Sequence, residues 1–300
     1  MAGAEKEFAL FLDELKANLK EEIRIPLPEL EQENNFISSL WVGKFLRSKM
    51  IFCTYSALRD EIRKVIGGDW WDLAKRVSLG TEVIHLASLI HDDIMDGDES
   101  RRGRECLYRR FGVSSAIVWG DWLFARGQAI FGELGLGELG SLAVCVLCEG
   151  QLLEEKIRSV CDFSWENYQR IIERKTAELF KLGPECLLKL GIDRALPYRD
   201  YAVRWGLAFQ LVDDLFDWQE DLSAKKLSFP VVLLKEVKGV EGLNQIWGVR
   251  EPLEVFGQNV VELARGWVGK TLPEEVPDGL EWFGEWIWQK FSNWVGGVYD

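Results

Sequence analysis

Leu73–Asp96 reads LAKRVSLGTEVIHLASLIHDDIMD, and between Val77 and His91 its only formally charged residue is Glu82. So long an apolar stretch suits a helix buried nearly all round. It ends abruptly in acid, at Asp92, Asp93 and Asp96. At 3.6 residues per turn Asp92 and Asp96 share a face and Asp93 lies beside them, so three carboxylates are expected to converge at the end of a core helix. Their mutual repulsion is costly unless a cation sits among them. A buried helix ending in carboxylates therefore implies a central cavity.

The pattern recurs over Tyr198–Trp218, where Pro197 suits a first helical turn and the apolar run WGLAFQLV again ends in acids, Asp213, Asp214 and Asp217. Gln210 falls one turn before Asp213 on the same face. Two such motifs, each closing an apolar helix, are far less easily accidental than one. Hard oxygen donors offered in twos and threes, without clustered His or Cys, suit Mg²⁺, which bridges carboxylates to substrate phosphates. A diphosphate also needs cations, and Lys44, Arg47, Arg101, Arg102, Lys175 and Lys226 are available. Arginine forks grip phosphate oxygens bidentately, while lysine acts as a point charge.

Outward from these helices, Pro and Gly clusters near 26–28, 67–68, 132–140, 183–191, 197 and 239–242 punctuate segments with apolar spacing of three to four residues. The expectation is a single all-helical domain over residues 1–300, with ample apolar material for a core: 47% of the 300 residues are hydrophobic. The balance of 36 basic against 49 acidic residues, net charge -13, excludes nucleic acid and an anionic membrane surface as main partners, because both would repel the chain at long range. No apolar run of about 20 residues is free of charge, so no membrane span is expected. The acidic, amphipathic start does not read as a secretory signal. The 6 cysteines read as reduced thiols in a cytoplasmic protein, and Cys145 and Cys148 as a buried helical pair. Over Leu280–Val295, Phe283, Ile287, Phe291 and Val295 share one face with Trp282 and Trp286 beside it, which reads as a core helix, the alternative being a face that touches a membrane or a partner.

The motifs resemble those of the trans-isoprenyl diphosphate synthases, the polyprenyl synthetase family, over roughly residues 40–235, and most closely the bacterial mid- and long-chain members. Gly43-Lys44-Phe45-Leu46-Arg47 looks like the family's GKxLR segment, and EVIHLASLIHDDIMD, Glu82–Asp96, like its first aspartate-rich helix, followed by Arg101-Arg102-Gly103. Gly120-Asp121, Lys175-Thr176-Ala177 and Phe209–Asp217 complete the match. The resemblance implies an isoprenoid-synthase-type bundle of antiparallel helices around a central cavity, usually in a homodimer. Asp92, Asp93 and Asp96 on one wall and Asp213, Asp214 and Asp217 on the other would hold Mg²⁺, three ions with substrate bound. Arg101, Lys175 and Lys226 would add positive charge to the allylic diphosphate. Lys44, Arg47, His85 and Arg102 match the metal-free isopentenyl diphosphate pocket, and Thr176 and Gln210 would line the space where the cation forms. His91 is left as structural.

The implied chemistry is ionisation of the allylic C–O bond, with the departing pyrophosphate stabilised electrostatically, then attack by isopentenyl diphosphate and loss of a proton. No nucleophilic triad is needed, and the chain has 2 histidines in all. Side chains one to three turns before Asp92 face the same way, so Ser88, Ala87, Ile84 and Thr81 should floor the pocket. Small residues at 87 and 88 leave that floor open to a growing chain, until bulk such as Trp119 or Trp122 stops it. The product could touch a membrane peripherally on release.

The match departs from the family in three places. The segment Asp217–Pro230 is short and offers Lys225 and Lys226 but no Gly-Lys pair, Ser48 stands where the family commonly has Pro, and the C-terminus WVGGVYD carries no basic residue. Two other readings follow from these departures: a class I terpene cyclase on the same fold, or a weakly active regulatory subunit of a heteromeric synthase. A cyclase has no use for the Lys44/Arg47/His85/Arg102 set, and a regulatory subunit none for all six aspartates.

Overall fold

The computed structural model describes residues 2–160, 162, 164–218, 221, 227–235 and 258–299. These are helical almost throughout: α1 (Ala2–Glu22), α2 (Glu31–Ser39), α3 (Leu46–Ala57), α4 (Arg59–Ile66), α5 (Trp70–Asp96), α6 (Leu107–Phe111), α7 (Val113–Glu133), α8 (Gly137–Val160), α9 (Trp165–Ile172), α10 (Glu178–Lys189), α11 (Leu196–Phe216), α12 (Gln258–Thr271) and α13 (Glu281–Tyr299). Residues 229–235 are helical too. One short antiparallel ribbon pairs β1 (Ser100–Arg101) with β2 (Arg104–Glu105). The chain divides into two compact units, Met1–Cys145 with Leu182–Leu196, and Val146–Lys181 with Pro197–Asp300.

In the first unit α5 is the central element, packed against α3 and α7. Asp69 caps its start by accepting the Trp71 N–H, and Gly97, in the left-handed conformation, ends it with its N–H on the Asp93 carbonyl. Every residue from Val77 to Ile84 is buried, as the apolar run requires. Glycine makes the close approach of α7 possible: a Cβ on Gly127 would lie 2.6 Å from Ile84 Cγ1 and 3.2 Å from the Gly80 carbonyl oxygen. A Cβ on Gly80 would meet the Phe131 ring at 2.7 Å.

In the second unit α11 packs on α13. Trp205 is fully buried, donates its indole N–H to the Phe283 carbonyl (2.8 Å) and meets the Phe283 ring edge-on. Phe283, Ile287 and Phe291 are buried, so α13 is a core helix, with Val295 half-buried at its end. Pro197 occupies the first turn of α11 as its sequence suggested.

Two local expectations change. Gly183-Pro184 does not break the chain but lies inside α10, and the break expected over 183–191 comes at its far end, at Gly191 with positive φ. Cys145 and Cys148 are exposed, not buried: they lie on the same face of α8 as exposed Leu142 and Leu152. Among the described residues no helix is long and apolar enough to cross a membrane.

Candidate functional site

In the first unit the site residues gather around the end of α5. After Gly97 the chain turns through Arg102 and Gly103, both at positive φ (53° and 74°), as a two-residue hairpin turn of the I′ kind demands. That turn sends the two arginines apart. Arg101 pairs with the buried Asp93 carboxylate and, at 3.3 Å, with Asp98. Arg102 donates to the Val42 carbonyl and lies against Gly43, where a Cβ would fall 2.6 Å from its guanidinium nitrogen. The space a Gly43 side chain would take is filled by the Arg102 guanidinium. Lys44 beside it is exposed.

Phe45, left-handed at φ 49°, opens α3 and turns Arg47 toward α5. The Arg47 guanidinium lies 3.0 Å from His85 Nε2. Burial, with the charges of Arg47, Arg102 and Arg101, holds His85 well below the usual imidazole range, so its ring is neutral and Nε2 accepts. One turn before His85, the buried Glu82 accepts from the Ser48 hydroxyl (2.6 Å) and backbone N–H (3.3 Å). Burial raises Glu82, and the Ser48 hydroxyl followed by the Arg47 charge pulls it back. The N–H that proline would lack is used here.

His91 packs against α7. It contacts the Ile117 carbonyl (3.2 Å) and Asp121 (3.6 Å), and a Cβ at Gly120 would sit 2.2 Å from its Nε2. Gly120-Asp121 thus accommodates a histidine. Thr81, Ile84 and Ala87 are fully buried and Ser88 is half-buried, its hydroxyl on the His85 carbonyl (2.8 Å). Trp119 is buried edge-on to Trp122.

The second unit builds its site from glycine contacts and the π-helical segment. A Cβ on Gly150 of α8 would meet Lys175 Cγ at 2.9 Å, and one on Gly206 of α11 would meet Ala177 Cα at 2.9 Å. With both glycines in place the segment lies close to each helix. Lys175 reaches Glu154 (2.6 Å), and the buried Thr176 hydroxyl donates to Gln210 Oε1 (2.7 Å). Gln210 passes the chain on, donating through Nε2 to Asp214 Oδ1 (2.6 Å). The other oxygen, Oδ2, accepts from Tyr168 Oη (2.7 Å) and the Phe229 N–H (2.9 Å). Burial pushes Asp214 up to about 6 against the pull of these three donors, and raises Tyr168 well above its ordinary value. Asp213 pairs with Lys290 of α13, and Asp217 is exposed just past the end of α11.

The predicted site residues thus cluster within their units as Arg47, His85, Asp93, Arg101 and Arg102, and as Lys175, Thr176, Gln210, Asp213 and Asp214. Lys226 lies outside the described residues. Among the described residues no three His, Cys, Asp or Glu side chains are gathered as a metal ion would need, since Asp93 and Asp213 each face a base. Their donor chemistry nonetheless fits a hard divalent cation: carboxylate oxygens, with 41% of the Asp213 side chain accessible, while the Cys106 thiol beside Asp93 is hydrogen-bonded to it and pushed up to about 12 by burial, so it offers no thiolate for a softer metal. Sequence reasoning missed Ser48 with Glu82, Glu154, Tyr168 and Lys290. Of these, Glu82 left a signal as the lone charge of a buried run, and Lys290 as the sole base of Glu281–Tyr299.

Comparison with known proteins gives the same reading. The Polyprenyl synthetase family pattern matches residues 33–238. An octaprenyl diphosphate synthase of Escherichia coli is 36% identical over 146 residues, 47% of this chain and 45% of that protein. The chain spans about half the length of the first curated relatives it matches, from 45% to 51%. A decaprenyl diphosphate synthase structure from Rhodobacter capsulatus superposes with TM-score 0.76 at 22% identity, covering 96% of this chain and 97% of that one. A polyprenyl synthase structure from Caulobacter crescentus, complexed with calcium and isoprenyl diphosphate, gives TM-score 0.70 at 22% identity, covering 97% and 90%. These superpositions assign the all-α isoprenoid-synthase fold.

Proposed function

As the chain belongs to the polyprenyl synthetase family, we propose that it is a prenyltransferase that condenses isopentenyl diphosphate with an allylic prenyl diphosphate to make a longer trans-polyprenyl diphosphate. Each acidic helix end would hold Mg²⁺, through Asp92, Asp93 and Asp96 and through Asp213, Asp214 and Asp217, with three ions in all when substrate is bound. Magnesium, when bound there, would supply electrostatic stabilisation of the negative charge that develops on the leaving group. The calcium and isoprenyl diphosphate named with the Caulobacter structure support that metal-and-substrate pairing.

The chain's own residues would do the rest. Arg101 and Lys175 would add positive charge to the departing pyrophosphate, and Lys226 would join them. The Thr176–Gln210–Asp214 chain fixes its side-chain oxygens through short hydrogen bonds, a preorganised polar lining beside the developing cation. Lys44, Arg47 and Arg102 would receive the second diphosphate without metal, and neutral His85 leaves the arginine charge undiminished for it. A homodimer acting in the cytoplasm completes the proposal. Its support is the exposed apolar residues Val113, Ile117 and Val118 on α7 and Leu142 and Leu152 on α8 for the homodimer, and the thiols of Cys106, Cys145 and Cys186 for a reducing compartment.

The observation that carries the reading is the Arg47–His85 pair, since a cyclase needs no pocket for a second diphosphate. Purified protein given Mg²⁺, farnesyl or geranylgeranyl diphosphate and labelled isopentenyl diphosphate should put label into longer prenyl diphosphates. Unlabelled cyclic hydrocarbons as the only products would sink the proposal.

A further inference from the structure

Lys290 lies where neither the acidic motifs nor the basic segments led. It is the one base of an aromatic helix, it pairs with Asp213, and 18% of its side chain is accessible. Its ammonium also lies over three rings, Phe209 at 5.4 Å, Phe216 at 5.1 Å and Trp286 at 5.4 Å from their centroids. Phe209 and Phe216 flank Asp213 at minus four and plus three, so one face of α11 presents a carboxylate framed by ring faces. The rings attract a cation whatever anion completes its shell. The four-carbon stem lets the ammonium change anions without leaving them.

We propose that Lys290 is a diphosphate ligand at the second acidic helix end. It neutralises Asp213 while no metal is bound, and it turns onto a pyrophosphate oxygen once a divalent cation has taken over that carboxylate. This rests on the prenyl-transfer reading above. The doubly charged ion outcompetes and repels the ammonium at Asp213, and the pyrophosphate that arrives with the metal supplies the replacement anion. An ion pair serving stability alone would gain little from this arrangement, since a pair with so accessible a carboxylate is worth little in water.

The test compares the full-length chain with Lys290→Met, Lys290→Gln and Lys290→Arg. Manganese binding is followed by electron paramagnetic resonance, with Asp213→Asn marking the relevant site, and inorganic pyrophosphate binding in Mg²⁺ by calorimetry. Lys290→Met should bind manganese at the Asp213 site several-fold more tightly and pyrophosphate on the order of tenfold more weakly, the scale of one charged hydrogen bond. Lys290→Arg should recover most of the pyrophosphate affinity. Should Lys290→Met fold poorly, Lys290→Gln, which keeps a polar side chain without the charge, carries the same comparison. Opposite shifts for metal and anion are what a purely structural lysine would not produce. Unchanged pyrophosphate binding in both neutral variants overturns the role of Lys290 alone, whereas wild-type protein that binds no pyrophosphate with Mg²⁺ overturns the prenyl-transfer reading and this assignment with it.

Discussion

Replacing Asp214 by Asn should make the metal-free protein more stable at pH 8 while ending its activity. Burial raises the Asp214 carboxyl from 3.8 to about 6, even though Tyr168, the Phe229 N–H and Gln210 all donate to it. Between those two values the folded state still holds a proton that the unfolded chain has released. Stability contributed by this group is therefore full below pH 4, falls as pH rises toward 6, and stays at the lower level above it. At 1.36 kcal/mol per pH unit the loss is about 3 kcal/mol. Asparagine does not ionise and escapes that loss. Its hydrogen bonds can also be met: the amide oxygen accepts from Tyr168 and Phe229, and Gln210, turned over, accepts from the new NH₂ and donates to the Thr176 hydroxyl. Urea unfolding in EDTA, run at pH 4 and pH 8, is the assay. The stability advantage of Asp214→Asn should grow by about 3 kcal/mol between the two, a melting difference of roughly 5–10 °C for a chain of this size. An advantage that is absent, or equal at both pH values, refutes the reasoning, because other titrating groups cancel in the comparison.

Tyr168→Phe removes one charged hydrogen bond from Asp214, worth about 1.5–3 kcal/mol, so its carboxyl should titrate about one to two pH units higher. The acid limb of manganese binding should move with it, and a limb that stays in place would exclude Asp214 as the titrating ligand. Gly206→Ala gains about 1 kcal/mol of helix propensity, yet sets a methyl 2.9 Å from the Ala177 backbone and 3.1 Å from the Phe180 ring. Overpacking of about 1–3 kcal/mol should win, lowering the melting temperature by several degrees. A melting temperature at or above wild type would show that the π-helical segment yields easily. Ser88→Phe should shorten the prenyl product, read by chromatography of the dephosphorylated alcohols, and an unchanged product length would remove residue 88 from the pocket floor.

Helix α5 was legible because its apolar run exceeds what a one-faced helix needs, and its acidic end because carboxylates do not close a core helix without purpose. The same held for α11 and for the buried face of α13. What could not be read was the consequence of glycine. Gly150 and Gly206 appear in the sequence only as small residues, and Gly43 and Gly120 only as members of motifs, yet each makes room for a particular neighbour: Lys175, Ala177, Arg102 and His91. Which neighbour arrives depends on helix crossings that no local pattern encodes. Glu82 was visible as a lone charge in a buried helix, but its partner Ser48 lies on α3, too far along the chain for helical periodicity to pair them. The exposure of Cys145 and Cys148 was misread for a related reason, since an apolar stripe looks alike whether it faces a core or solvent.

The pairings at the two acidic helix ends share one electrostatic logic. Crowded carboxylates at a helix end repel one another and the C-terminal end of the helix dipole, so the metal-free chain needs local positive charge there. In the first unit Arg101 supplies it to Asp93, held in place by the hairpin turn; in the second Lys290 supplies it to Asp213 from a different helix. Bases that merely balanced these acids could sit anywhere nearby, but both contact the very carboxylates that the family resemblance assigns to the metal. Under the proposed function, an ion that took over each carboxylate would release the base beside it, one within each unit. A diphosphate arriving with the ion would then meet a cation already present at that helix end, and the acids would not lose their neutralising charge before the metal arrived. The two bases are held differently: Arg101 lies on a tight turn with Asp98 as a second anion, whereas Lys290 reaches Asp213 across the ring faces of Phe209, Phe216 and Trp286.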